Sequence, residues 1–256
     1  RTIKQWILRP LVSAKAINSR LCGVEELVGN MALLEELREN LTGIYDMERL
    51  MSRISMGSAN ARDLAALRTS LTYLPHIHKL LMKTESEILA VQSARLDPLE
   101  DLCDLLTRAI VDEPPISLRE GKIIKEGFNE EIDRLRDAAE NVKSYIAQLE
   151  MRERERTGIK NLKIKFNKVF GYYIEVSSSN LSRVPDDYIR KQTITTGERF
   201  ITAELKETES TVLGASEKRI ALEYDEFVKI RTRLCEEIER LIKTAHAVSV
   251  ADALCS

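Results

Sequence analysis

The sequence predicts a mainly α protein: a multi-helix domain with long antiparallel helical arms and a small antiparallel β-sheet inserted at their tip. Three observations carry this expectation. Gly (10) and Pro (6) together make about 6% of the 256 residues, roughly half of ordinary usage, and aromatics are only 5%. A chain so poor in turn residues is not mainly sandwich, propeller or barrel. Two long segments lack Pro and nearly lack Gly, and both carry apolar residues at helical spacing. Between them, over roughly 158–201, the apolar period changes from 3.6 to 2.

The first 113 residues read as short to medium helices with sparse breakers. Ile3, Trp6 and Ile7 open an amphipathic segment ended by Pro10, and Ser13 is placed to cap the next, where Ile17, Leu21, Val24 and Val28 recur. Asp46 precedes Met47, Leu50, Met51 and Ile54, again one helical face. Leu64, Leu67, Leu71 and Leu74 repeat the pattern before the breaker Pro75. Pro114-Pro115 marks a break, and Arg119 to Lys122 reads as a turn. From Asn129 to Thr157 the positions Ile132, Leu135, Ala139, Val142, Ile146 and Leu149 form a 3-4-3-4-3 seam. Phe227, Ile230, Leu234, Ile238, Leu241, Ala245 and Val248 show the same habit, which predicts that the two segments are antiparallel partners.

In the intervening stretch, Leu162, Ile164 and Phe166 alternate with lysines, and Val169 to Val176 is rich in β-branched and aromatic residues. A hairpin turning at Asn167-Lys168 follows from this. Ser177 to Asn180 reads as loop, and Gln192 to Gly197 as a short strand entering a turn.

Composition excludes several classes. Hydrophobic residues at 43% and charged residues at 31% describe a globular chain rather than a disordered one. The longest run free of Asp, Glu, Lys and Arg, Thr69 to His78, is too short to span a bilayer. Cys22, Cys103, Cys235 and Cys255 form no C-x-x-C, which predicts reduced thiols in a cytosolic protein. Gly121-Lys122 lacks the upstream Gly of a phosphate-binding loop, and His76 and His78, two residues apart, do not share a helix face. The paired carboxylates sit on predicted helix surfaces without a cleft to shift their pKa values. No catalytic residue and no metal site are expected. A start at Arg1 without Met and an end in Ala-Asp-Ala-Leu-Cys-Ser read as a piece of something longer.

Charge is unevenly spread. The formal net charge is −2. Between 158 and 200, however, eight cations stand against four anions, a net +4 that leaves −6 on the remainder. Lys163 and Lys165 share one strand face, and the turn offers Asn167 and Lys168. Such donors suit phosphate contacts, while an ordinary solvated hairpin remains the alternative. The run Arg152 to Arg156 reads either as an exposed helix face with weak i,i+4 pairs or as an addition to a phosphate field.

The residues also carry a resemblance. Arg156-Thr-Gly-Ile-Lys-Asn-Leu-Lys163, Phe166-Asn-Lys-Val-Phe-Gly-Tyr-Tyr-Ile-Glu-Val176, Val184-Pro-Asp-Asp-Tyr-Ile-Arg-Lys-Gln-Thr193 and Glu198-Arg-Phe-Ile-Thr-Ala-Glu-Leu-Lys206 resemble the clamp of the MutS DNA mismatch-repair family. Trp6 to Leu11, Ile17 to Leu27 and Asp46 to Ile54 resemble its lever, or core, domain. The resemblance implies a lever over 1–150, an inserted clamp over 151–202 and a returning lever helix over 203–256. It implies backbone contact with duplex DNA without sequence reading, a second subunit in a homodimer, and possible contact with a MutL-type partner. ATP and Mg would belong to a P-loop domain outside this sequence, with no cofactor in the piece itself and no membrane role. A bacterial cytoplasmic, nucleoid-associated location is likewise implied.

Matching the clamp residue by residue points to Asn167 in its turn, and to Gln192 and Thr193 as its Gln-Thr pair. Thr195 and Thr196 stand where the family often has Lys followed by Asn or Asp, so they are hydrogen-bonding rather than ionic candidates. Lys168 is nominated by turn position and charge, and Lys191 as the cation beside Gln192. The motifs around Arg49 and Arg53 look structural. Two other readings stay open: a protein-interaction coiled-coil module without DNA binding, and a single-strand platform on Tyr172 and Tyr173.

Overall fold

The computed structural model describes residues 2–167 and 171–256, apart from the side chains of 140, 143 and 211–213. Among them are helices α1 (Thr2–Leu8), α2 (Ala14–Gly29), α3 (Met31–Thr42), α4 (Met47–Ser55), α5 (Ala61–Leu81), α6 (Glu87–Arg95), α7 (Glu100–Ala109) and α8 (Glu130–Thr157). Strands β1 (Lys163–Asn167), β2 (Gly171–Ser177), β3 (Ile189–Ile194) and β4 (Gly197–Ile201) follow, then α9 (Ala203–Glu236) and α10 (Ile238–Cys255). No helix among the described residues is long and apolar enough to cross a membrane. Residues 1–128 with 223–256 form one compact unit, and 129–222 form a second. The helix α9 contributes residues to both.

In the helical unit the predicted starts are real caps. The Ser13 hydroxyl accepts from the Ala16 N–H, Asp46 accepts from the Arg49 N–H, and Asn60 and Asp63 form a reciprocal capping box. Arg53 ties α4 to the start of α5 through Asp63 at 3.1 Å, so it is structural, as its motif suggested. The helix α5 does not stop at Pro75 but continues to Leu81. Pro in a helix interior costs about 3 kcal/mol, whereas fully burying one Leu or Ile side chain gains about 1.5–3 kcal/mol. Ile77, Leu80 and Leu81, all beyond Pro75, are buried, and their burial outweighs the break. On α10, Arg240 holds the α6–α7 connection through Asp97 and Asp101 at 2.8 and 2.9 Å. Its hydrogen bond keeps the Asp101 carboxyl below the usual range.

The expected antiparallel return beside Asn129–Thr157 is present, but the first part of the returning segment makes it, not the Phe227–Val248 stripe. Phe227, Ile230, Leu234, Leu241, Ala245 and Val248 are buried in the helical unit. The helix α8 instead runs antiparallel to the first part of α9: Lys218 pairs with Glu131 at 2.7 Å, and Glu204 meets both Tyr145 and Arg152. Two stripes of equal spacing do not name each other as partners. The strongly apolar stripe went to the larger core, and the more polar stretch after Ala203 returned beside α8.

In the second unit, α8 ends at Gly158, which takes the left-handed conformation (φ 68°) and donates its N–H to the Arg154 carbonyl. The chain then enters a four-stranded antiparallel sheet of order β1-β2-β4-β3. Its inner face supplies Ile174, Val176 and Phe200 to a core with Leu149 of α8, Leu205 of α9, and Ile159, Leu162 and Tyr188 from the connections. The arginine run at the end of α8 is fully engaged. Arg152 meets Glu204, and Arg154 meets Glu150 and donates to the Leu162 carbonyl. Arg156 bridges Glu153 and Asp187. These arginines tie the end of α8 to α9 and to the connections before β1 and β3. Glu150 also accepts from the Ile164 N–H on the outer edge of β1 at 2.8 Å, which blunts that edge.

Tyr188 closes the joint by donating to the buried Glu153 carboxylate at 2.7 Å. Burial and that carboxylate push the phenol above its ordinary pKa. Replacing Tyr188 by Phe removes one donor from a buried acceptor, and a loss of about 1–3 kcal/mol is expected. Urea unfolding followed by near-UV dichroism of the sheet aromatics measures it; an unchanged midpoint would show that Glu153 is satisfied without Tyr188.

Candidate nucleic-acid interface

Strand register sets which side chains share a face. Lys163 lies opposite Glu175, Lys165 opposite Tyr173 and Asn167 opposite Gly171. Glu175 lies opposite Arg199, and Gln192 opposite Arg199 on the other side. Since side chains alternate, Lys163, Lys165, Asn167, Tyr173, Glu175, Arg199 and Gln192 occupy the outer face, away from the apolar core. Polar contacts cross this face strand by strand. Lys165 Nζ lies 2.8 Å from Glu175, Arg199 Nε lies 3.6 Å from the other Glu175 oxygen, and Arg199 Nη1 donates to Gln192 Oε1 at 2.8 Å. The Arg199 guanidinium also covers the Tyr173 ring at 4.6 Å. The Lys165 hydrogen bond, with help from Arg199, holds the Glu175 carboxyl below its usual pKa against a smaller opposing effect of burial.

The nominated residues fall into two places. Lys191 sits at a register shift between Arg190 and Gln192 and is exposed. Such a bulge leaves a residue without a cross-strand partner. Gln192 and Thr193 follow it on β3, and Thr195 and Thr196 form the exposed turn into β4, where the Thr196 carbonyl accepts from the Ser178 N–H. These five residues lie on one edge strand and its turn. Asn167 lies at the far end of β1, beside Gly171, whereas the β3–β4 turn lies beside Ser177. Six residues along β2 at about 3.3 Å each separate the two ends by roughly 20 Å. Lys168 lies outside the described residues.

Ion pairing narrows the charge argument. Lys165 and Arg199 share Glu175, and Arg190 pairs with Glu198. Among the described residues, Lys160, Lys163 and Lys191 are exposed and have no carboxylate partner, and Arg183 donates only to the Gly158 carbonyl. Among the described residues of 158–200, the cations without a carboxylate partner are therefore these four side chains. Tyr173 is buried beneath Arg199, and Tyr172 packs edge-on against Phe166, so the two tyrosines do not form a stacking surface together. Among the described residues no group of three His, Cys, Asp or Glu could hold a metal ion, and His76 instead pairs with Glu36 at 3.0 Å.

Arg199 and Glu175 are the outer-face residues that sequence reasoning did not nominate. Alternation alone places Arg199 opposite in sense to the core residue Phe200, but its partners come from strand register, which no short motif encodes.

Comparison with known proteins agrees with this architecture. A family model, MutS domain III, matches residues 1–256. The chain belongs to the MutS domain III family. It is 54% identical over its whole length to the DNA mismatch repair protein MutS of Halothermothrix orenii, of which it covers 29%. It is 50% identical to the protein of that name from Acetivibrio thermocellus, again covering 29%, and 48% identical to that of Clostridium botulinum strain Okra, covering 28%. The chain thus spans less than a third of the length of these MutS relatives. The multi-helix fold with a small four-stranded sheet is that of a MutS lever with its clamp.

The MutS clamp sheet depends on close approach at one glycine. A Cβ on Gly197 would overlap the carbonyl oxygen of Val176 on the neighbouring strand. Gly197→Ala is expected to break the β2–β4 register and to expose the sheet core. Amide hydrogen exchange would then rise across 171–201 while protection in α5 is retained; unchanged exchange in β2 would contradict this.

Proposed function

We propose that this chain grips duplex DNA through its sugar-phosphate backbone, without reading sequence, as the clamp-bearing part of a mismatch-repair protein. The observation that carries the reading is local: residues 158–200, which hold the sheet, carry a net +4 in a chain whose overall charge is −2. Phosphate binding needs positive charge and free donors at the contact surface, not a basic chain as a whole. Lys191, Gln192, Thr193, Thr195 and Thr196 form one contact point, and Asn167 with Lys168 a second. A separation of roughly 20 Å lets them meet phosphates on different parts of a duplex rather than one phosphate cluster.

The helical unit is then a lever. Its buried α5 and α10 make a stiff body, and α9 is covalently common to both units. ATP and Mg chemistry is assigned to a domain outside this chain, to which the lever transmits clamp position. Two subunits would close paired clamps around one duplex, and a MutL-type partner would act on the assembled protein. No catalytic step is assigned to the chain itself.

Fluorescence anisotropy with perfect and mismatched duplexes over a salt series tests the reading. With about four phosphates neutralised, log K is expected to fall against log salt with a slope near about −3.6, and Kd to lie around 10⁻⁴–10⁻⁶ M at physiological salt. Lys191→Glu and Lys168→Glu should weaken both duplexes equally. Salt-insensitive binding, or none, would favour a protein-interaction module instead.

A further inference from the structure

Glu175 is an acid at the centre of a surface proposed to meet phosphates, and its surroundings give it a use. Each of its oxygens faces a different cation: Oε1 faces Lys165 Nζ at 2.8 Å, and Oε2 faces Arg199 Nε at 3.6 Å. The two cations are held very differently. Arg199 is pinned by its bond to Gln192 and by the Tyr173 ring beneath it. Lys165 has a side chain 45% exposed and, among the described residues, no other carboxylate.

We propose that Glu175 occupies the place of a phosphate on the clamp, holding Lys165 in position until a duplex phosphate takes it. This rests on the DNA-backbone reading above, and makes Lys165 a further phosphate-binding residue and Glu175 a positioning residue that sets affinity. Carboxylate and phosphate oxygens accept from the same lysine donors. A half-exposed lysine–carboxylate pair is weak and is readily exchanged for another anion. Losing Lys165 does not strand the carboxylate, because Arg199 stays beside it and a largely covered charge without a partner is avoided. The arrangement also keeps the lysine from scattering into solvent, and it makes the bare clamp less attractive to stray anions.

The test uses the 256-residue chain and a fluorescein-labelled duplex, with Glu175→Gln, Lys165→Gln, the double variant, and Asp186→Asn as control. Asp186 is an exposed acid of the same unit without an ion-pair partner among the described residues, so its removal reports net charge alone. The proposal expects Glu175→Gln to tighten binding by about three- to tenfold at low salt while leaving the salt slope at the wild-type value, since the same phosphates are neutralised. Lys165→Gln should weaken binding and make the slope shallower by about 0.9, and in the double variant most of the gain should vanish. A gain equal to that of Asp186→Asn, or one that persists without Lys165, overturns the proposal. So does no gain in Glu175→Gln while the wild-type chain binds duplex with salt dependence. If Glu175→Gln fails to fold by circular dichroism, the Lys165→Gln slope decides alone, an unchanged slope overturning the proposal. A wild-type chain that binds no duplex removes the DNA reading itself, a different failure from the others.

Discussion

The arrangement depends on one constraint: the sheet buries a single face. Ile174, Val176 and Phe200 pack against Leu149 and Leu205 at the joined ends of α8 and α9. Because strand side chains alternate, that burial fixes Tyr173, Glu175 and Arg199 on the opposite face. A shift of register by one residue would exchange the two sets. The apolar core therefore decides where the charged groups stand, although none of them belongs to it. Full burial of a Val, Ile or Phe side chain gains about 1.5–3 kcal/mol, whereas an exposed ion pair such as Lys165–Glu175 contributes about 0–1 kcal/mol. Packing sets the geometry, and charge uses it.

The same division holds at the joint between helix and sheet. Arg154 and Arg156 look like a phosphate-binding run when counted, yet each is consumed by nearby carboxylates and carbonyls. Their work is to anchor the sheet to α8 beside Tyr188 and Glu153. Within 158–200 the charge left for a partner is smaller than the count suggests, and among the described residues of that stretch it lies on Lys160, Lys163, Lys191 and Arg183. A low whole-chain charge and a local nucleic-acid contact are compatible for this reason.

Much of the fold was legible in the sequence, because caps and periodicity are local signals. Ser13, Asp46 and Asn129 mark helix starts or borders by residue type, and the change of period at 158 locates the sheet. What was not legible depended on choice between partners. The Phe227–Val248 stripe and the stretch after Ala203 compete for α8, and spacing does not rank them. Pro75 reads as a stop until the burial of Ile77, Leu80 and Leu81 is known. At the candidate interface, alternation alone puts Lys163 and Lys165 on one face. The distance between Asn167 and Thr195-Thr196, and the roles of Arg199 and Glu175, required the strand order β1-β2-β4-β3.

The central claim is that DNA contact is local to the clamp. Lysine acetylation footprinting of the chain, with and without duplex and read by mass spectrometry, tests it most directly. Exposed lysines exist in both units: Lys160, Lys163 and Lys191 on the clamp, and Lys15, Lys79 and Lys83 on the helical unit. The account predicts that duplex protects the first three in a salt-dependent way and leaves the others as reactive as before. Equal protection of Lys15, Lys79 and Lys83, or none on the clamp when duplex is bound, would contradict it.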